Sequence, residues 1–139
     1  MMQRTSVIRR ETFNAAHRLY KAEWSDAKNA EIFGACSNPN WHGHNYVLEV
    51  KVSGMIDEET GFLVDLKWLK QLIQEMVIER FDHKNLNMDT IEFKNLNPTA
   101  ENIARVIYDL LREKINENFG LHIRLYETER NVVEYPASV

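Results

Sequence analysis

The clearest pattern of apolar and polar positions lies in HNYVLEVKVSGMID, residues 44–57. Apolar or aromatic residues alternate there with residues that are mostly polar or charged. Because successive side chains of a strand point to opposite faces, this period of two predicts a strand that is buried on one face. That face is expected to contain His42, His44, Tyr46, Leu48, Val50 and Val52. Residues 6–13 are β-permissive but charged, which predicts an earlier, half-exposed strand.

Two later segments repeat apolar residues at helical spacing. The first helix is predicted to begin after the N-cap Asp65 and to end near Phe81. Its apolar face is formed by Leu66, Leu69, Leu72, Ile73, Met76 and Val77. The second helix is predicted to open at Pro98 and Thr99, and Gly120 lies just past its end. Its apolar face is formed by Ile103, Val106, Ile107, Leu110 and Leu111.

The remaining segments complete an α+β pattern. A shorter helix is predicted over residues 26–33, and the polar, Asn-rich residues 82–97 predict a loop. LHIRLYETE and VVEYPA near the C-terminus predict two final strands. The order β-β-α-α-β-β predicts a four-stranded antiparallel sheet with two helices on one face. Because regular strands at the open edges of a sheet favour pairing with another chain, we expect an oligomer.

Composition limits the class of protein. The 139 residues carry a net charge of −4 with both signs interspersed, whereas nucleic-acid binders usually have a basic stripe. Residues 1–139 are expected to form one domain. The N-terminal segment lacks the apolar core of a signal peptide, and no apolar run reaches the length of a membrane span. One cysteine allows no internal disulfide, which is typical of a reducing compartment, so we expect a cytoplasmic protein. From the charge pattern and the apolar runs we expect no nucleic-acid partner and no membrane partner.

The segment CSNPNWHGHNY, residues 36–46, combines the single cysteine with two histidines. On a strand, His42 and His44 would point the same way with Cβ atoms roughly 6–7 Å apart, close enough to bind one Zn²⁺. A pair of this kind is also common among ordinary polar residues at the start of a strand. A third ligand would decide between the two, and His17 in FNAAHRL is the candidate, brought alongside His44 by an antiparallel partner strand. Three histidines with one open position are typical of a catalytic zinc site.

Two further residues stand out by their position. Cys36 is either a small buried residue or a reactive thiol, and its loop-like neighbours Gly34, Ser37 and Pro39 favour the second. Glu127 continues the face of Ile123 and Leu125 on a predicted strand. A carboxylate at the rim of the core needs a partner, which is either a ligand or a nearby arginine such as Arg124 or Arg130.

The ordered set of motifs resembles a known family. FNAAHRL, C-x5-HGHNY, FDHKNL, PTAEN and LYETERNVVEY resemble 6-pyruvoyl-tetrahydropterin synthase and its relative, 6-carboxy-tetrahydropterin synthase of the queuosine pathway. The resemblance runs from about Phe13 to Tyr135. It implies a tunnelling fold (T-fold), whose β-β-α-α-β-β subunits assemble as trimers that stack as a homohexamer. It also implies Zn²⁺, the substrate 7,8-dihydroneopterin triphosphate, and loss of triphosphate in the reaction.

The resemblance assigns roles to individual residues. His17, His42 and His44 match the zinc ligands, and Cys36 matches the catalytic thiol. Asp82 and His83 in FDHKNL match a second catalytic pair, which in the family comes from a neighbouring subunit. Glu127 matches the carboxylate that anchors the pterin ring, and Thr99 and Glu101 match residues that line the pterin pocket.

Asp82 and His83 admit a second interpretation. From the residues alone, Asp82 and His83 are typical of a solvated helix C-terminus, where the helix dipole favours histidine.

Trp41 departs from the family, whose members commonly have a small residue before HGH. The five-residue gap between Cys36 and His42 favours the pyruvoyl product over 6-carboxy-tetrahydropterin with acetaldehyde. An aldolase of the dihydroneopterin type and a non-enzymatic pterin- or metal-binding module are the remaining alternatives.

Overall fold

Two long antiparallel strands form the centre of the sheet in the computed structural model, which describes residues 3–137. The strands are β1 (Arg4–His17), β2 (His42–Met55), β3 (Lys84–Asn85), β4 (Gly120–Tyr126) and β5 (Val132–Tyr135). Their order in the sheet is β3-β1-β2-β4-β5. β1 and β2 pair along their whole length, from Arg4 opposite Met55 to His17 opposite His42. The class is α+β, as predicted.

The prediction of four antiparallel strands is wrong by one strand. β3 lies in the segment that was predicted to be a loop, and it pairs in parallel with β1 at Ala15 and Ala16. Two residues are too few to show a period of two, so this strand leaves no pattern in the sequence. β1 is also longer at both ends than residues 6–13, and β4 ends at Tyr126, one residue before Glu127.

The helices are α1 (Asp26–Phe33), α2 (Leu66–Ile73), α3 (Glu79–Phe81), α4 (Leu86–Asp89) and α5 (Ala100–Lys114). A π-helical stretch, Gln74–Ile78, joins α2 to α3, so the helical segment ends at Phe81 as predicted. A 3₁₀ turn, Gly34–Ser37, follows α1. The predicted caps are present, because the side chains of Asp65 and Thr99 accept hydrogen bonds from the first turns of α2 and α5.

The core lies between the helices and one face of the sheet. On β2, Tyr46, Leu48, Val50 and Val52 are fully buried, which confirms the predicted face. Helix α5 packs against β4 and β5, and α2 contacts β1. Burial of each large apolar side chain contributes about 1.5–3 kcal/mol relative to leaving it in water. The buried stripe of β2 continues toward the start of the strand into His44 and His42, so the sheet carries polar side chains to the rim of its own core.

The opposite face of the sheet is polar and partly open. Arg124 donates to Glu134 at 2.9 Å, and His122 Nε2 lies 3.1 Å from the same carboxylate. His122 thus lies on the polar face of the sheet, opposite the face that carries His42 and His44. Among residues 3–137, no helix combines the length and the apolar character that a membrane crossing requires.

Candidate active site and metal centre

Three histidines converge at the shared end of β1 and β2. His17 is paired with His42 across the strands, and Ala15 is paired with His44, so His17 lies opposite one histidine and diagonal to the other. Ring centroids are 4.5 Å apart for His17 and His42, 5.1 Å for His17 and His44, and 5.0 Å for His42 and His44. One nitrogen of each ring lies within 4.8 Å of the others, a set that could hold a metal ion.

Four ring nitrogens of this cluster are buried and have no hydrogen-bond partner among residues 3–137. They are His17 Nε2, both ring nitrogens of His42, and His44 Nε2. A buried polar atom that lacks a partner costs about 1–3 kcal/mol, so an arrangement with several of them needs a compensating ligand. Neutral imidazole nitrogens are ordinary ligands of zinc and of other transition metals. The chemistry of the donor set therefore fits a bound metal ion.

A backbone carbonyl fixes the orientation of His17. Its Nδ1 lies 2.7 Å from the carbonyl oxygen of Pro98, just before α5, so Nδ1–H donates to that oxygen. The lone pair of Nε2 is then directed at the cluster, as in metal sites whose histidines donate their second N–H to a carbonyl. Thr99 is the N-cap of α5, with Oγ1 accepting from Asn102 N at 3.1 Å. Its neighbour Glu101 is exposed in the first turn.

Burial lowers the pKa of His17 and of His42. Desolvation lowers the pKa of His17 to about 4, against the raising effect of the Pro98 hydrogen bond, and the charges of His42 and His44 lower it further. The pKa of His42 is lowered by burial and by His44, while Glu127 acts in the opposite direction. Histidine binds metal in its neutral form, so these shifts favour the binding state at neutral pH.

Glu127 faces the cluster from the end of β4. Its Oε2 lies 3.9 Å from His17 Nε2, and the side chain is largely buried. The alternative that Arg124 neutralises Glu127 is not met, because Arg124 forms its ion pairs with Glu134 and Glu49. Glu127 N–H donates to Asn131 O at 3.1 Å, which closes the turn between β4 and β5.

Tyr46 lies beneath these groups and was predicted only as a core residue. Its hydroxyl oxygen is 3.5 Å from His17 Nδ1, and the side chain is fully buried. Burial raises the pKa of this phenol strongly, and the charges of Glu127 and Cys36 add to the effect. The stripe that contains His42 and His44 already included Tyr46, and this was the sequence signal for its position.

Cys36 lies on the 3₁₀ turn and not on a ligand strand. Its side chain is partly buried and the thiol is free. Its carbonyl accepts from Leu19 N–H at 2.8 Å, which ties the turn to the end of β1. Among the residues that the structure describes, the group that could hold a metal ion comprises the three histidines without Cys36.

Asp82 and His83 form a pair at the edge of the sheet. Their side chains approach to 3.0 Å, and Asp82 Oδ1 accepts from Asn14 N–H at 2.8 Å. Burial acts to raise the pKa of Asp82, but the hydrogen bonds from Asn14 and His83 hold it below its usual range. His83 has φ 60° and a side chain that is 84% exposed. Within residues 3–137, neither side chain hydrogen-bonds to the histidine cluster or to Cys36.

Trp41 also has a left-handed backbone, with φ 67°. Its N–H donates to Asn38 O at 3.1 Å, so the turn that leads into His42 closes at this residue. Because bulky residues are rare in this region of φ, Trp41 has a strained backbone, and it directly precedes the candidate ligand His42.

Residues 6–138 match the family model described as 6-pyruvoyl tetrahydropterin synthase. The chain is 44% identical over 129 residues to the 6-pyruvoyl tetrahydrobiopterin synthase of Pongo abelii, covering 93% of this chain and 89% of that protein. Identity to the Drosophila melanogaster enzyme of the same name is 42% over 130 residues, covering 93% and 77%.

A 6-carboxy-5,6,7,8-tetrahydropterin synthase from Rickettsia conorii is 31% identical over 111 residues, covering 67% of this chain and 80% of that protein. The solved structure of Caenorhabditis elegans 6-pyruvoyl tetrahydropterin synthase superimposes with a TM-score of 0.91 at 36% identity. It covers 99% of this chain and 98% of that one.

Proposed function

Because the chain belongs to the 6-pyruvoyl tetrahydropterin synthase family and has its T-fold, we propose that it is a zinc-dependent lyase. Its proposed reaction converts 7,8-dihydroneopterin triphosphate to 6-pyruvoyl-tetrahydropterin with loss of triphosphate. The observation that carries this proposal is the set of buried, unpartnered imidazole nitrogens beside Glu127. A site of this kind joins a metal-binding set to a carboxylate that can recognise a nitrogen-rich ring.

His17, His42 and His44 are the proposed zinc ligands. Zinc bound there would supply Lewis acidity that stabilises negative charge developing on the substrate's side-chain oxygens. The protein's own contribution is to hold the three rings in place, through the strand register of β1 and β2 and the Pro98 carbonyl. Since His17 is 1% exposed, bulk water is kept from one side of the site.

Glu127 is the proposed anchor for the pterin ring. A pterin presents an N–H and an NH₂ group side by side, which match the two oxygens of a carboxylate. The ring of His17 lies 3.9 Å from Glu127, and that imidazole is held neutral by burial. His17 therefore does not neutralise this carboxylate, whose oxygens remain free to accept from a ligand. Thr99 and Glu101 are proposed to line the same pocket; in support, Thr99 directly follows Pro98, whose carbonyl accepts from His17.

Cys36 is the proposed base. The thiolate form of Cys36 would take the carbon-bound proton of the substrate side chain. An ordinary free cysteine has a pKa near 8.5, so a few per cent of it is thiolate at neutral pH. His83, oriented by Asp82, would serve as the partner acid that returns a proton to the side chain. The triphosphate leaves with the electrons of its carbon–oxygen bond.

We propose that Asp82 and His83 act in the site of a neighbouring subunit, within a homohexamer built as a dimer of trimers. Two observations support this. The His83 side chain is almost fully exposed, and within residues 3–137 the outer edge of β1 pairs with β3 at only two residues, Ala15 and Ala16. Asn14 on that edge is bonded by Asp82 and His83, and among the described residues no strand pairs with residues 4–13 there, which leaves this part of the edge for a strand from another copy. The chain would act as one domain in the cytoplasm, where its single cysteine stays reduced.

The test is turnover of 7,8-dihydroneopterin triphosphate by the purified full chain, with products identified by mass spectrometry and zinc measured per subunit. The expected result is 6-pyruvoyl-tetrahydropterin, triphosphate and one zinc per subunit. The matched control is Cys36→Ala, which should retain zinc and lose turnover by roughly 10²–10⁴-fold, the usual contribution of a general base. Loss of zinc in that variant would show that the thiol is a ligand.

Different outcomes separate the alternatives. The product 6-carboxy-tetrahydropterin, with acetaldehyde, would assign the chain to the second activity represented among its relatives. Turnover in the absence of zinc would support an aldolase of the dihydroneopterin type. Bound zinc without turnover of any pterin would support a binding module.

A further inference from the structure

We propose that Arg18 is a positioning residue, which fixes the Cys36 thiol relative to the histidine cluster. Arg18 directly follows His17, the last residue of β1, and its side chain crosses to the turn that carries Cys36. The proposal rests on the role of Cys36 in the proposed function, and it concerns how the chain holds that thiol in place.

Two consecutive residues hold two consecutive carbonyls. Arg18 Nε–H donates to the Ser37 carbonyl at 2.8 Å, and Leu19 N–H donates to the Cys36 carbonyl at 2.8 Å. A single hydrogen bond would leave the 3₁₀ turn free to rotate about that contact. Two bonds to adjacent peptide groups fix both the distance and the orientation of the turn, and hence the direction of the Cys36 side chain.

The arginine is itself held firmly. The backbone N–H of Arg18 donates to Asn87 Oδ1 at 2.9 Å, and Asn87 Nδ2 donates back to the backbone carbonyl of Arg18 at 2.9 Å. The guanidinium carbon lies 3.8 Å from the centroid of the Tyr20 ring, so the planar group stacks on that ring. Backbone and side chain are therefore both fixed before any substrate binds.

The geometry requires arginine at this position. Lysine has no Nε–H donor part of the way along its side chain, and its ammonium group is not planar, so it cannot donate sideways while stacking on Tyr20. The link also runs through the residue next to His17, whose ring is fixed by Pro98. A single stretch, residues 17–19, thus sets the metal-ligating ring and the thiol-bearing turn relative to each other.

Arg18→Lys in the full-length, zinc-loaded protein tests this arrangement, with Arg105→Lys on the exposed surface of α5 as the matched control. We expect Arg18→Lys to lower kcat by about 10–100-fold, because a displacement of about 1 Å at a reacting group is enough for such a loss. KM and zinc content should stay within about twofold of the parent, since Arg18 holds neither the pterin nor the metal. Arg105→Lys should change none of these values.

Two further measurements separate positioning from a general loss of structure. In Arg18→Ala, millimolar methylguanidinium should restore part of kcat, because it can occupy the stacked site and donate to Ser37. Alkylation of Cys36 by iodoacetamide, followed from pH 6 to 9, should be several-fold faster in Arg18→Lys than in the parent, since the turn is released. Cys36 is the only thiol in the chain, so the alkylation signal is unambiguous.

An unchanged kcat in Arg18→Lys, or parallel losses of zinc and of kcat, would overturn the proposal. So would an alkylation rate equal to that of the parent protein. If the parent does not turn over 7,8-dihydroneopterin triphosphate, the proposed function fails, and the alkylation rates still decide whether Arg18 holds the turn.

Discussion

The two sets of residues proposed for catalysis differ in how much of their surroundings one chain supplies. The histidine cluster is complete within the subunit, with His17 and His42 paired by strand register and one ring fixed by the Pro98 carbonyl. The pair of Asp82 and His83 has its internal hydrogen bonds, but the histidine ring is 84% exposed at the edge of the sheet. The first region is assembled by one chain, whereas the second presents its imidazole outward from the subunit.

This difference has an energetic side. Buried nitrogens without partners disfavour the folded metal-free chain, so metal binding and folding stability should be linked at the cluster. An exposed imidazole is hydrated and carries no such cost. The two regions should therefore respond to different treatments, the first to metal and pH, and the second to mixing of subunits.

The largest expected effect is on metal binding. His17→Ala removes the most buried of the three proposed ligands, and the affinity for zinc should fall by more than about 100-fold, beyond the losses known for outer-shell partners. Competition with a chelating dye measures this. His122→Ala is the matched control, because His122 lies on the polar face and pairs with Glu134. Equal zinc affinities for parent and His17→Ala would break the first half of the comparison.

Mixing two inactive variants tests the second half. Cys36→Ala and His83→Ala, unfolded and refolded together in equal amounts, should recover up to about one quarter of the parent activity if each site combines two subunits at random. Each variant refolded alone should remain inactive. Activity in the mixture no higher than in the separate variants would mean that both residues serve a site within one subunit.

Glu127→Ala should act on the pterin and leave the metal in place. Each charge-assisted hydrogen bond contributes about 1.5–3 kcal/mol, so loss of two should raise the dissociation constant of a pterin by at least about 100-fold. Titration of the zinc-loaded protein with a fluorescent pterin measures the constant. The control is Glu58→Ala, an exposed carboxylate beyond the far end of β2. A pterin dissociation constant equal to the parent value would remove Glu127 from the binding site.

Acid should destabilise the metal-free protein through its buried imidazole. The pKa of His17 is about 4 in the folded state and 6.5 as a free side chain, so between these values the unfolded chain binds more protons. Stability is then fully present above pH 6.5 and is lost as the pH falls toward 4, by at most about 3 kcal/mol. Urea unfolding across this range measures the loss. It should be smaller in His17→Gln, and an equal loss in that variant would assign the effect to other groups.

The smallest effect concerns backbone strain, which both regions contain, at Trp41 and at His83. Trp41→Gly should relieve about 1–2 kcal/mol of left-handed strain, offset by about 0.5–1 kcal/mol of chain entropy. The glycine variant should therefore be more stable than Trp41→Ala, which keeps the strained backbone and loses the indole. Thermal unfolding of the two variants compares them. A more stable alanine variant would show that φ at this position is not a source of strain.

The sequence was informative where a regular period carries the chemistry. The stripe of β2 predicted that His42 and His44 share a face with Tyr46, and the structure confirms it. The same period placed Glu127 on a strand face, and it lies one residue beyond the end of β4. His17 was expected alongside His44; it lies directly opposite His42, two residues away in register, and its ring is 5.1 Å from the ring of His44.

What the sequence did not predict depends on contacts without a local pattern. β3 consists of two residues and is defined by its pairing with Ala15 and Ala16, far away in the chain. The support of His17 by Pro98 uses a main-chain oxygen, which every residue type has. The hydrogen bond from Arg18 to Ser37 joins two loops through an arginine that resembles any surface arginine in the sequence.

Because the Pro98 acceptor is a main-chain oxygen, mutational scanning of this protein would not detect its role. A scan that replaces every side chain in turn would leave this acceptor intact, because it belongs to the peptide bond. Variants at position 98 would report the shape of the loop and the rigidity of the chain before α5, and would score as tolerant or intolerant for those reasons. A contact that aims a candidate ligand at its metal would thus be invisible to selection experiments, and only chemical alteration of the backbone would expose it.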